Sequence, residues 1–370
     1  MKLLTRHGYL SLLLCVGIFS LIIFHFWDEE LEFTSGQPFS DTERPRPAST
    51  SRGLCRPGVP CEFPEIVDLR VILLTFHRPD SLHKALNSLD ALELDGDVAI
   101  LEIFIDRYKN GSIHKATVQV ADNFTWRKGL KRVHRQMKPV GIYGQWIDSW
   151  KPPKDSDELA IIVEDDVDLS PFAYRWLRQT HLRHGRKSFI SGYTLQDLNI
   201  RIPHGKNINR EVNRVNGAVL KRYPAYFFRV AGSWGFAPHP KRWREFQEWF
   251  HTDAEKLRHP YVPKARMNTN WYKDFERQHR EDSMWTMWFI YFTDQHDLST
   301  LVSNVPKFSS SKTNSLSCNR LEPGLHFKEG RTKSAQHCQK ILMKSWSEKF
   351  VANSVQLPLI GYEGQYLGLV

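Results

Sequence analysis

The chain has 370 residues, which suits one large domain or two fused halves with a core that needs no staples. With 41% hydrophobic and 25% charged residues it is not a disordered chain. Its formal charge of +10 would point to nucleic acid in a cytosolic protein, but the amino terminus argues for another compartment.

Gly8 to Trp27 contains no acidic or strongly basic residue. About 20 residues rising roughly 1.5 Å each reach about 30 Å, enough to cross the core of a bilayer. Lys2, Arg6 and His7 precede this stretch, and Asp28, Glu29 and Glu30 follow it. The positive flank stays cytoplasmic, so residues 1–7 read as a tail, 8–27 as a signal-anchor, and the rest as lumenal or extracellular. A cleaved signal peptide is the alternative. It would need a small-residue site after the apolar run, where His25-Phe26-Trp27-Asp28 stands instead. Residues 28–65 are rich in Ser, Thr, Pro, Gly and Arg, without apolar periodicity, and read as a stem.

Two sequons, Asn110-Gly111-Ser112 and Asn123-Phe124-Thr125, agree with a lumenal location. Outside the apolar span the cysteines are Cys55, Cys61, Cys318 and Cys338. An oxidising compartment favours disulfides, and local pairing of 55 with 61 and 318 with 338 is expected. A zinc site is the rival, but the spacing contains no CxxC pair.

The folded part is expected over residues 66–330, with 331–370 as a carboxyl-terminal extension packed on it. Val71-Ile72-Leu73-Leu74-Thr75-Phe76 is a continuous apolar run, as a strand buried on both faces should be. Pro79 ends it, Asp80 or Ser81 can cap a helix, and Leu82, Ala85, Leu86 and Leu89 mark one helical face. A strand from Val98 to Ile105 follows, ending at Asp106. Then come a helix around 113–121, a short strand near 130–133 and a helix from Tyr143 to Trp150. Leu159-Ala160-Ile161-Ile162-Val163 is a further apolar strand, and Glu164-Asp165-Asp166 stands at its end. Ser170-Pro171 then opens a helix carrying Ala173, Trp176 and Leu177. This alternation defines an α/β fold with a mostly parallel sheet, whose ligands bind beyond the carboxyl ends of the strands. The second half carries strands near 189–192 and 226–230, a Gly232-Ser233-Trp234-Gly235 turn, a helix with Trp243, Phe246 and Phe250, and an aromatic helix over 284–292. Trp176 and Trp243, at helical spacing, read as core.

Adjacent carboxylates at the end of an apolar strand need a counter-charge. Two unit charges about 4 Å apart repel by roughly 4 kcal/mol at an effective dielectric near 20. A divalent cation removes that repulsion, and oxygen ligands suit Mg²⁺ or Mn²⁺ bridging to a diphosphate. A solvated acidic loop is the bland alternative.

Ile161 to Phe172, with the triplet at its centre, resembles the metal motif of N-acetylglucosaminyltransferase I and its relatives, Golgi enzymes of the GT-A fold. Leu73-Leu74-Thr75-Phe76-His77-Arg78-Pro79 and the helix after it are similar to the opening of family 2 glycosyltransferases. The resemblance runs in order and spacing from Val71 to Leu301, with little similarity beyond, so it carries over no donor identity. It implies that Asp166 ligates the metal and that Glu164 and Asp165 orient the ribose and donor sugar. Asp106 would face the nucleobase, and Thr75, Phe76 and Arg78 would line the nucleotide pocket. Arg78 reads nearly as well as a surface arginine.

The same resemblance matches Gly232 and Trp234 to a glycine-containing loop against the donor, although an ordinary hairpin turn explains the glycines equally well. It matches Asp282 to the base that takes the acceptor proton, with Glu281 in reserve, and His326 to a late metal ligand. Asp282 can also cap the aromatic helix.

The expected activity is metal-dependent, inverting transfer of a sugar from a nucleotide-diphosphate donor, a UDP-sugar, to a glycan or glycoprotein hydroxyl. The partners are that donor, that acceptor and the membrane, without nucleic acid, in a single-pass type II Golgi protein. A retaining enzyme, or a catalytically silent sugar-binding membrane protein on the same fold, are the alternatives.

Overall fold

A strand that is apolar on both faces needs neighbours on both edges and helices above and below. In the computed structural model, which describes residues 55–196, 218–309, 313–320 and 334–370, the chain supplies all of these. Strand β1 (Leu69–Thr75) is buried along its whole length. It pairs in parallel with β2 (Ala99–Ile105), which pairs in parallel with β3 (Gly129–Arg135). On its other edge β1 pairs in parallel with β4 (Leu159–Glu164). The intervening helices are α1 (Pro79–Asp90), α2 (Lys115–Asn123) and α3 (Gly141–Ile147). After β4 come β5 (Val167–Leu169), α4 (Ala173–His184), β6 (Ile190–Thr194), β7 (Ala225–Phe228) and β8 (Phe236–Pro238). Helices α5 (Pro240–Thr252), α6 (Arg266–Arg277) and α7 (Trp285–Gln295) follow, then β9 (Ser299–Ser303), α8 (Val305–Phe308) and β10 (Ser317–Asn319). Helix α9 (Ala335–Ile341) and strands β11 (Pro358–Ile360) and β12 (Tyr366–Leu369) close the chain.

Among the described residues the main sheet has ten strands in the order β12-β11-β7-β9-β6-β8-β4-β1-β2-β3. It is parallel throughout β3-β2-β1-β4 and mixed beyond, where β8 runs antiparallel between β4 and β6. A second sheet pairs β5 and β10 antiparallel to each other. The carboxyl-terminal segment contributes β11 and β12 directly to the main sheet.

Alternation along the strands sorts their side chains between two layers. Leu69, Val71 and Leu73, with Ile161 and Val163, face a cluster that includes Leu82, Leu86 and Leu89 of α1 and Trp176 and Leu177 of α4. Ile72, Leu74 and Ile162 face Trp146 of α3, Trp243 and Phe246 of α5, and Trp285 and Phe289 of α7. Trp176 and Trp243 are fully buried, as their spacing predicts.

One core feature lies outside the apolar pattern. Arg70 is fully buried at the amino end of β1. It donates to Glu102 and Glu158 at 2.7 Å each and to the Glu65 carbonyl at 2.7 Å, and Glu158 also accepts from Trp150 Nε1 at 2.9 Å.

Both expected disulfides form: Cys55–Cys61, with Cα atoms 4.8 Å apart, and Cys318–Cys338, at 5.5 Å. Some local expectations shift. Pro79 is the first residue of α1 rather than a breaker before it, and neither Asp80 nor Ser81 caps the helix, whose N-cap is Arg78. The helix expected from Tyr143 to Trp150 is Gly141–Ile147, because Asp106 fixes its start. Among the described residues no helix is long and apolar enough to cross a membrane; the expected span over 8–27, most of the stem and His326 lie outside those residues.

Candidate functional site

The parallel register sets the site. Leu74 lies beside Glu164, and Thr75 beside Ile105, so β1, β2 and β4 end together. Each chain then turns outward under a neighbour's carbonyl. The Asp165 amide donates to Leu74 O at 3.0 Å and the Asp106 amide to Thr75 O at 3.0 Å.

Asp165 is almost wholly buried and is pinned from two sides. Thr75 Oγ1 donates to its Oδ2 at 2.6 Å, and the Arg78 guanidinium pairs with its Oδ1. Asp166 is held more loosely. Its Oδ2 accepts from Arg78 Nη1 at 3.2 Å and its Oδ1 from Asn319 Nδ2 at 3.3 Å. Glu164 keeps part of its side chain at the surface, while its carboxyl group is packed within protein and accepts from Trp146 Nε1 at 3.1 Å. Asp168 pairs with the fully buried Arg320. Arg320 also donates to Ser81 O at 2.9 Å, to Ser81 Oγ at 2.8 Å and to the Asp165 carbonyl.

Among the described residues four carboxylates thus meet two guanidiniums, a formal surplus of two negative charges when all are ionised. The titration of the acids reflects this crowding. Burial, followed by repulsion from Asp166, pushes the Glu164 carboxyl up to about 8. Burial pushes Asp165 up to about 6, against the pull of Arg78 and the Thr75 hydrogen bond. Burial works against the charge on Arg78, but Asp165, Asp166 and Glu164 more than offset it, and its pKa rises.

The other expected residues lie around this centre. Asp106 is buried, and its carboxylate accepts from the amides of Arg107 at 2.8 Å, Val140 at 3.0 Å and Gly141 at 3.0 Å. It therefore anchors the start of α3, which carries Trp146 to Glu164. Phe76 packs edge-on against His77 at 4.4 Å and Tyr108 at 4.7 Å, beside Asp106. Strand β8 pairs Phe236 with Ile162, so the preceding Trp234 and Gly235 lie toward the Glu164 end of β4. Gly232 N donates to Thr194 Oγ1 at 3.2 Å, and Ser317 Oγ donates to Trp234 O at 2.9 Å, tying the loop to β6 and β10. The turn needs glycine at 235, where φ is +83° and an added Cβ would stand 3.0 Å from the Ser317 Cβ.

Glu281 and Asp282 are exposed on the 3₁₀ turn Glu281–Ser283. Asp282 does not cap the aromatic helix; Met284 holds that position, without a side-chain bond. The turn joins the site through α3: Tyr143 Oη donates to Glu281 O at 2.6 Å, and Trp285 stacks on Trp146 at 4.5 Å. Two surface recesses, of about 300 Å³ beside Ile113 and Arg135 and about 560 Å³ beside Tyr261 and Lys273, share no residue with the triplet's surroundings. Buried carboxylates with perturbed titration mark a candidate site.

Sequence reasoning missed Arg320, Asn319, Ser81 and Trp146. Arg320 and Asn319 follow Cys318 in a stretch with no chemical signature of their own. The spacing of the two cysteines was the available sign that this stretch is held in place.

The site thus belongs to a mixed α/β chain with acidic residues beyond the carboxyl ends of its strands. A family model described as "SPBC1E8.03c C-terminal domain" matches residues 80–256, a stretch that contains the triplet and Gly232 and ends before Asp282. No curated protein matches. Among solved structures the chain is similar to the galactosyltransferase LgtC in complex with donor and acceptor sugar analogs, at 12% identity and a TM-score of 0.29. That match covers 51% of this chain and 66% of LgtC. It is also similar to S. aureus TarS 1–349, at 12% identity, TM-score 0.35 and coverage of 65% and 61%. A third is the mannosyltransferase PcManGT of Pyrobaculum calidifontis in complex with GDP-Man and Mn²⁺, at 10% identity, TM-score 0.32 and coverage of 67% and 74%. Identities and TM-scores this low transfer no activity.

Proposed function

We propose that the chain is a metal-dependent glycosyltransferase that moves a sugar from a nucleotide-diphosphate donor, a UDP-sugar, to a glycan or glycoprotein hydroxyl. The observation that carries this reading is the acidic site: among the described residues, four carboxylates against two guanidiniums at the carboxyl edge of parallel strands. Among the described residues no cluster of three His, Cys, Asp or Glu side chains is arranged to enclose a metal. An ion that takes oxygen ligands, Mg²⁺ or Mn²⁺, is the kind these carboxylates would hold. Asp166 would hold it, because both its oxygens make only long contacts, whereas Asp165 is pinned at 2.6 Å. His326 would be a second ligand by family resemblance. When bound, the cation neutralises the diphosphate that departs.

The chain's own groups do the rest. Thr75, Phe76 and Arg78 line the nucleotide, with Asp106 fixing the loop beside the base. Glu164 and Asp165 orient ribose and sugar, and the Gly232–Gly235 loop lets main chain approach the donor. Asp282 takes the acceptor's hydroxyl proton as its oxygen attacks the anomeric carbon, giving inversion, with Glu281 next to it as the second candidate. The two disulfides agree with an oxidising compartment, and residues 8–27 would anchor the chain as a type II protein with this domain in the Golgi lumen.

The test is UDP release from a panel of UDP-sugars and acceptors with Mn²⁺, compared between the wild-type chain and Asp166→Ala. Turnover that Asp166→Ala abolishes supports the reading. A chain that binds UDP yet releases none from any donor–acceptor pair refutes it.

A further inference from the structure

The position proposed for the metal is contested by a cation of the chain itself. Arg78 lies at the N-cap of α1, directly before Pro79, so its backbone is fixed at the edge of the site. Its guanidinium reaches both carboxylates, with Nη2 on Asp165 and Nη1 3.2 Å from Asp166 Oδ2. Asp165 cannot turn away, because Thr75 holds its other oxygen at 2.6 Å. Asp168 cannot take Arg78 over, because Arg320, the residue after β10, fills that side. The Arg78 side chain is 26% exposed against 0% for Arg320, so of the two guanidiniums only Arg78 has an outward path.

From this arrangement we propose that Arg78 is a resident counter-ion that competes with the divalent cation for Asp166 and has to swing outward when the metal enters. The inference rests on the metal reading above. A guanidinium on Asp166 Oδ2 and a divalent ion on the same oxygen repel, so each weakens the other's binding. Free of Asp166, the fork of Arg78 suits phosphate oxygens of the incoming donor. Asp166 then keeps a cationic partner both before the metal arrives and after it.

The experiment is a titration of the purified full-length chain with Mn²⁺ alone, without nucleotide, reading free Mn²⁺ by electron paramagnetic resonance and melting temperature in parallel. Arg78→Gln is expected to bind Mn²⁺ at least about tenfold more tightly than wild type, since one competing charge is gone. It should melt lower than wild type in chelator and regain more of that loss on adding Mn²⁺. Adding Asp166→Asn to Arg78→Gln should abolish the gain. Equal or weaker Mn²⁺ binding by Arg78→Gln, or a gain that survives Asp166→Asn, overturns the inference and leaves the metal site standing. Binding by neither wild type nor Arg78→Gln overturns both. Should Arg78→Gln not fold, Arg78→Lys carries the test. Its point charge keeps one contact of two, so affinity should rise about threefold, and an unchanged affinity overturns the inference.

Discussion

Glu164→Gln isolates the strain in the acidic site. In the wild-type chain the Glu164 carboxyl has its pKa pushed from 4.5 up to about 8, with burial the largest cause. A group whose pKa is higher in the folded chain contributes stability that is fully present below the unfolded value and is lost as pH rises through the folded one. The window here runs from about 4.5 to about 8. Each tenfold difference in proton affinity is about 1.4 kcal/mol, so the full span sets a ceiling of roughly 5 kcal/mol by the alkaline end. Water entry and movement of Arg78 relieve part of this. A glutamine keeps an acceptor for Trp146 Nε1, carries no charge and stops repelling Asp166. At pH 8, in chelator, it should stabilise the chain by at least about 2 kcal/mol, which for a domain of this size is about 4 °C in melting temperature. At pH 4.5 the two chains should melt together. The assay is melting temperature against pH from 4 to 9, with and without Mn²⁺. Added Mn²⁺ should flatten the wild-type slope, since the cation stabilises the ionised acids. Parallel wild-type and Glu164→Gln profiles would refute the claim that this carboxyl is strained.

Three other outcomes are expected. Asp282→Asn should lower kcat by about 10²- to 10⁴-fold, the usual yield of a general base, with Mn²⁺ and UDP binding unchanged; a mild loss moves the role to Glu281. Arg70→Ala leaves Glu102 and Glu158 buried without their shared partner and should cost about 3–5 kcal/mol in urea unfolding, far from the site. Gly235→Ala forces a side chain into φ +83° and against Ser317. It should cost about 1–2 kcal/mol from the backbone alone, raise the donor KM and leave Mn²⁺ binding intact.

Strands β1, β2 and β4 were legible because they are buried on both faces. That makes them continuous apolar runs, and nothing in 71–76 or 159–163 competes with that signal. Boundaries failed where a distant side chain fixes them. The start of α3 at Gly141 is decided by the Asp106 carboxylate, 35 positions earlier. Ser81 looked like a helix cap, yet its hydroxyl donates to the Asp165 carbonyl at 2.8 Å. The triplet itself stood out as three adjacent charges after an apolar strand. Its counter-charges did not. Arg78 sits in a loop where any arginine could be solvated, and Arg320 carries no local pattern at all. Arg70 violates the apolar run it begins and is paired by two glutamates that are neighbours only once the strands align. The mixed second half was least legible, since β8 and β10 are three residues each and pair through contacts no local period encodes.

The bond from Arg320 to Ser81 closes a loop of 239 residues. Synthesis therefore releases the parallel half of the sheet, with its acidic loop, long before the strand that completes the loop's surroundings exists. A nascent chain that has not reached β10 lacks Cys318, Asn319 and Arg320, and Cys318 once made still awaits Cys338 twenty residues later. Non-local closures of this kind slow folding, because the loop entropy is lost before the contact forms. Arg320 and Asn319 thus join the acidic loop only after β10 has been made, so a chain short of that strand does not present the finished site.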